Sequence, residues 1–196
     1  MRPTLWKRFS YALMVTVLGA LAAAAITATV HARDIRIVQL RDDCDPATFN
    51  AAVGPDTCVG DGDTLFADFL AEFGATGAVE KWRFNPDNSE ADRGAQALNR
   101  GGETHTFTEV ARFGDGFVTV LNSSPNPEDA LPECAARDAN GKVIPIPGTP
   151  LLVPAAKANA TSVPAGQSGT TMMLTKGVHK FQCCIHPWMQ STITVR

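Results

Sequence analysis

The chain has 196 residues, with 17 Lys and Arg against 20 Asp and Glu, for a formal net charge of −3. That length suffices for one domain with a full hydrophobic core. The acidic balance argues against a nucleic-acid partner, whose phosphates call for basic surface.

Reading from the N-terminus, Arg2, Lys7 and Arg8 precede an uninterrupted run of apolar and small residues from Ala12 to Val30. This is the layout of an export signal, and Val30-His31-Ala32 supplies the small-residue cleavage pattern, so residues 1–32 are expected to be a signal peptide cut after Ala32. The run is longer than a usual signal core, and an uncleaved membrane anchor is the competing reading. No twin arginine is present, which points to the general secretory route. Cleavage leaves residues 33–196 as a single domain with 14 basic and 20 acidic side chains, a balance of −6. Its expected location is periplasmic or secreted. All five cysteines, Cys44, Cys58, Cys134, Cys183 and Cys184, fall in this exported part. An odd number outside the cytoplasm leaves at least one thiol with an occupation other than a disulfide.

Along the exported part the patterns are those of strands. "DIRIVQL" (34–40) sets Ile35 and Ile37 against Arg36 and predicts a first strand. The acidic, Gly-rich stretch 41–63 reads as a loop carrying Cys44 and Cys58. In "DTLFADFLAEFG" the residues Leu65, Phe66, Phe69, Leu70 and Phe73 share one helical face, with Asp63 as cap and Gly74 as stop, so one short helix is expected over 64–73. "VEKWRFNP" returns to alternation, Trp82 and Phe84 opposing Lys81 and Arg83, and ends at Pro86. "AQALNRGGETHTFTEV" suggests two strands about a tight turn at Gly101-Gly102, with His105 near the start of the second. Residues 123–160 are Pro-rich and aperiodic and read as a long loop insertion. "GTTMMLT", "GVHKFQC" and "STITV" supply three closely spaced strands. The expected class is all-β, a Greek-key antiparallel β-sandwich with one short helix and a long insertion.

The chemistry concentrates in "FQCCIHPWM" (181–189). Alternation along "VHKFQC" places His179, Phe181 and Cys183 on one face, so that Cys183 points inward with Phe181 at the strand's end and Cys184 points elsewhere. His179 itself reads as a hydrogen-bonded core residue. From Cys183 the spacing is Cys-x2-His-x2-Met, which lets a short loop bring the sulfur, the His186 imidazole and the Met189 thioether to one point. Counting from Cys184 leaves too little loop. With His105 from a distant strand the set becomes two nitrogens, a thiolate and a weak thioether, the donor set of a trigonal copper site with an axial Met.

These segments resemble the cupredoxins, small exported blue copper proteins of the plastocyanin and amicyanin type. "FQCCIHPWMQSTITV" is similar to the family's C-terminal ligand loop and last strand, and "NRGGETHTFTEV" to the segment that supplies the first histidine. The resemblance implies one type 1 copper ion held by His105, Cys183, His186 and Met189, with no enzymatic reaction but single-electron transfer between transient redox partner proteins. Thr106 stands where many relatives have Asn; the resemblance implies that its amide donates to the sulfur and its hydroxyl bonds across the ligand loops in that residue's place. Docking is expected at an apolar rim formed by Pro187 and Trp188 around the His186 edge, and the charge of −6 favours a basic partner.

If Cys183 holds copper, the other four cysteines allow three pairings. Cys44 with Cys58, closing a short loop, is the expected bridge, and Cys134 with Cys184 would then tie the insertion beside the ligand loop. Among rival readings, a copper enzyme needs a second cluster, for which only His179 is left over. Zinc is poorly served by Met. A copper chaperone or storage protein, which would usually display open Met-rich or His-rich tracts, is the alternative.

Overall fold

The computed structural model describes residues 34–196; the signal peptide expected over 1–32, and the question of its removal, lie outside them. Strand β1 (Ile35–Arg41) buries Val38 and Leu40 completely and leaves Ile37 42% exposed. The alternation expected here is present, but the core face is the opposite one. Arg36 shares that face without burying its charge, because it sits at the sheet rim and its Nε and Nη2 donate to the Glu90 carbonyl at 3.0 and 2.7 Å.

The strands form two four-stranded sheets. The first runs β2-β1-β4-β8, with β2 (Arg83–Asn85), β4 (Gly94–Asn99) and β8 (Met172–Met173). The second runs β3-β10-β9-β6, with β3 (Asn88–Ala91), β6 (Thr108–Val110), β9 (Gly177–Gln182) and β10 (Gln190–Val195). A short pair, β5 (His105–Thr106) with β7 (Ser162–Val163), lies outside both. Side chains from both sheets meet in one core that includes Val38, Leu40, Phe84, Ala95, Phe107, Phe181 and Ile193. The sandwich is therefore as the patterns predict, while the pairing is mixed rather than wholly antiparallel: β1 with β4 and β10 with β3 are parallel. The reason is a sheet change. β3 and β4 follow each other closely in the chain but belong to different sheets, so each lies beside a strand distant in sequence.

The same device corrects the expected hairpin at Gly101-Gly102. β4 pairs with β1 and β8, whereas β6 pairs with β9, so the turn carries the chain from one sheet to the other. It needs glycine for closeness. A Cβ on Gly102 would sit 2.6 Å from the Gly60 nitrogen and 2.7 Å from Cys44 Sγ.

Two helices precede β2. The stretch expected as a loop over 41–63 contains α1 (Pro46–Ala52), started by Asp45, whose carboxylate accepts from Thr48 N at 2.8 Å, and by Pro46 in the first turn, where no amide is needed. The next helix, α2, is Phe66–Thr76. Its cap is Leu65 rather than Asp63, and it runs past Gly74 to Gly77, whose φ of 74° supplies the left-handed stop. Phe69 is buried and Phe66 and Phe73 pack on the core, but Leu65 and Leu70 are exposed at 45% and 47%.

Residues 123–160, expected as a surface loop, are built more firmly than that. Leu131 and Leu152 are fully buried, Ala130, Ala135 and Val143 pack with Leu152, and isolated bridges join Ala135 to Pro154 and Arg137 to Val143. A short helix, α3 (Ala156–Ala160), returns the chain to β7. The prolines suppress regular periodicity without preventing a small core.

Candidate metal centre

Cys183 follows the last residue of β9, inward like Phe181, and both are 0% exposed. Its amide donates to the Met189 carbonyl at 3.0 Å and the Met189 amide to the His186 carbonyl at 2.9 Å, which closes residues 183–189 into a tight loop. His105 opens β5 and approaches from the other side, also 0% exposed. One donor atom from each of His105, Cys183 and His186 lies within 4.8 Å of the other two. Cys183 Sγ is 3.8 Å from His105 Nδ1 and 4.0 Å from His186 Nδ1. Met189 is fully buried in the same core as Cys183.

The local electrostatics favour a thiolate. Burial pushes the Cys183 thiol up, but hydrogen bonds and charge from His105 and His186 outweigh it and hold the group well below its ordinary value. For His105, burial pulls downward, while the Asp42 hydrogen bond, then Cys183, raise it to about 10. Asp42 is one residue of the site that sequence reasoning does not reach. Its side chain is wholly buried, and its Oδ2 lies 2.7 Å from His105 Nε2. The carboxylate also accepts from Gly102 N at 2.8 Å and Glu103 N at 3.1 Å. Burial raises the Asp42 carboxyl, and these partners, His105 first, bring it net below its ordinary value. A carboxylate on the far nitrogen of a ligating histidine fixes ring orientation and directs Nδ1 to the metal side.

The second histidine is placed differently. His186 is 3% exposed, its Nε2 faces Glu103 Oε2 at 3.6 Å, and that carboxylate accepts from Trp82 Nε1 at 2.5 Å. Aromatic rings close over it: Trp188 at 5.4 Å between centroids and Phe69 at 6.3 Å, with Phe73 against Trp188 at 5.2 Å. The rim expected around an exposed His186 edge is thus covered. Pro187 is buried and Trp188 is half-buried, packed against α2, because that helix lays Phe69 against the imidazole and Phe73 against Trp188. Glu103, like Asp42, was missed. An acid two residues before His105 in "GGETHT" is a faint local signal, whereas Asp42, 63 positions away, offers none.

Around the sulfur, Thr106 N lies 3.4 Å from Cys183 Sγ and Thr106 Oγ1 accepts from Cys184 N at 2.8 Å. Cys184 is bonded to Cys134, and Cys44 to Cys58; Cys183 is the free thiol among the described residues. Two disulfides suit an oxidising compartment. His179, expected in the core, is partly exposed on β9, where Nδ1 meets Glu109 Oε1 at 2.6 Å and Nε2 meets the Thr175 carbonyl at 2.8 Å.

No protein-family model and no curated protein sequence matches the chain. Among solved structures, a purple cupredoxin from Nitrosopumilus maritimus is similar at 15% identity and a TM-score of 0.35, over 82% of this chain and 99% of that one. An oxidised plastocyanin from Dryopteris crassirhizoma is similar at 14% identity and a TM-score of 0.30, with the same coverage. A Cu(I) amicyanin mutant is similar at 14% identity and a TM-score of 0.31, over 61% of this chain and 83% of that one. On its own architecture, two four-stranded sheets about one core with a buried His/Cys/His cluster where β5 meets the loop after β9, the chain has a cupredoxin-like β-sandwich fold.

Proposed function

We propose that this chain is an exported type 1 copper protein, periplasmic or secreted, that carries single electrons between redox partners and catalyses no reaction of its own. The observation that carries the reading is the convergence of His105 Nδ1, Cys183 Sγ and His186 Nδ1 on one buried point, with Met189 buried in the same core as Cys183. Two imidazoles, a thiolate and a weak thioether are the donors that suit copper in both oxidation states. Bound copper would supply a one-electron Cu(I)/Cu(II) couple.

The chain's own residues do the rest. The thiolate is ready before metal arrives, since His105 and His186 stabilise its charge. Thr106 N–H, aimed at the sulfur, moderates its electron donation, and Asp42 holds His105 in place. The rings of Phe69, Trp82 and Trp188 keep water away, so little reorganises when charge changes. Full burial of His105 and Cys183 favours retention of the ion over handing it on, which tells against the chaperone or storage alternative.

Voltammetry of the copper-loaded protein separates the two. The electron-carrier reading expects a reversible one-electron wave with copper retained through repeated cycles. Loss of copper on reduction, or an irreversible wave, would favour copper handling instead.

A further inference from the structure

On the outer side of Asp42 the sheet opens into a cleft of about 420 Å³, lined by Arg41, Arg83, Arg100, Lys81, Asp42 and Asp43. Its charges are unevenly matched. Asp43 is taken by Lys81 at 2.5 Å and by Thr64 Oγ1 at 2.8 Å. The Asp42 carboxylate is turned wholly inward to His105 and the Gly102 and Glu103 amides. Arg41, Arg83 and Arg100 have no carboxylate partner among the described residues. Moreover, Arg41 and Arg83 stand directly opposite each other in the β1–β2 register, where like charges disfavour pairing. Arg41 is eased only by the Gln39 side chain and Arg83 only by the Glu80 carbonyl. A fold that holds three unpaired guanidiniums about one opening, two of them opposed across a ladder, has a receptor for negative charge. Guanidinium forks match carboxylates in particular.

The position of the cleft gives this charge a use. The His186 imidazole lies beneath Phe69 and Trp188, but Asp42 forms the cleft wall and also bonds the His105 imidazole. A group seated among the arginines is one side chain from a ligand of the proposed metal. We propose that this cleft is an anion site that docks carboxylates of an acidic partner protein, and that electrons pass to that partner by way of His105 and Asp42. The net charge predicts a basic partner, whereas the local field at this opening has the opposite sign. The electron route rests on the copper reading; the anion site does not.

Two probes test it on the full exported chain. The first is the redox-inert trianion hexacyanocobaltate(III), titrated calorimetrically into metal-free protein at low ionic strength. Wild type is expected to bind it saturably and more weakly as salt rises. The Arg41→Ala/Arg83→Ala double variant should bind at least tenfold more weakly, while Arg112→Ala, outside the cleft, should match wild type. Thermal unfolding of the same samples checks folding, and Arg100→Ala, on an exposed side chain, gives a second variant with the same expected loss. Non-saturable binding, or equal binding in wild type and both cleft variants, overturns the proposal and leaves the copper reading standing.

The second probe is hexacyanoferrate(III) mixed with copper-loaded, reduced protein. One electron leaves Cu(I), which becomes Cu(II), and iron(III) becomes iron(II), with no proton moved. The double variant should slow this at least tenfold and should not slow oxidation by the cationic tris(phenanthroline)cobalt(III). If cobaltate binding is lost in the variant but the hexacyanoferrate rate is unchanged, the electron route is overturned and the anion site remains. If wild type shows no thiolate-to-copper band yet binds cobaltate, the copper reading falls and the anion site stands.

Discussion

Cys183 and Cys184 are neighbours in sequence and belong to different regions of the molecule. Cys183 lies in the sandwich core with Phe181, Met189 and Ile193; Cys184 lies in a second cluster with Val110, Leu131 and Ala158, bonded to Cys134. The sandwich is held by strand ladders and a large shared core. The segment after β6 is held by small clusters, scattered bridges and one covalent tie. Parity at a strand's end is enough to send adjacent thiols to opposite fates, one exposed to imidazoles and one to another sulfur.

The widest test of that contrast removes the tie. A Cys134→Ala/Cys184→Ala variant opens a 50-residue link and should cost about 4 kcal/mol, against about 3 kcal/mol for Cys44→Ala/Cys58→Ala, whose link spans 14. Urea unfolding reads both. If the ligand loop belongs to the sandwich alone, the copper spectrum survives the first change; a lost spectrum would mean that the two regions share the site.

Within the sandwich, the two histidines are held by different means, and each can be loosened. Phe69→Ala should cost about 3 kcal/mol and expose the His186 side, seen as faster quenching of Trp188 fluorescence by iodide. Unchanged quenching would mean that α2 does not seal the imidazole. Asp42→Asn should lower metal affinity by roughly tenfold to a hundredfold, measured by competition with a chelator for Zn(II) as well as copper. Equal affinities would reduce Asp42 to a packing residue.

The smallest effect is expected at His179 on β9 of the second sheet. His179 is pulled down by partial burial but raised more by Glu109 and the Thr175 carbonyl, so its folded value lies above the ordinary 6.5. A raised value stabilises fully below about 6.5 and loses that stabilisation as pH rises through the folded value. With both side chains partly exposed, the contribution is below about 1 kcal/mol. The stability gap between wild type and His179→Gln should therefore shrink between pH 6 and pH 9; a gap independent of pH would assign the pair no charge.

What the sequence made legible follows the same division. The strand after the ligand loop alternates strictly, and Cys-x2-His-x2-Met is local, so Cys183, His186 and Met189 could be picked out by counting, although in the strand before it Gln182, read as facing outward, is buried beside Phe181. Mixed pairing could not, because β3 and β4 change sheets within a turn, and period-2 patterns say nothing of partner direction. α1 hid in a Gly-rich, acidic stretch although Asp45-Pro46 marks its start. Asp42 and the cover over His186 depend on contacts between distant segments, which no local pattern records. The same is true of the opposed Arg41 and Arg83: each reads as the polar side of its own strand, and only the register brings them together.

The central claim is that Cys183, with His105 and His186, forms a copper site. It is tested most directly by the visible spectrum of the purified protein after addition of Cu(II), beside Cys183→Ala and the Cys134→Ala/Cys184→Ala variant. The account predicts an intense thiolate-to-copper band in wild type that disappears with Cys183→Ala and persists in the disulfide variant. Copper bound without such a band in wild type, or a band that survives Cys183→Ala, would contradict it.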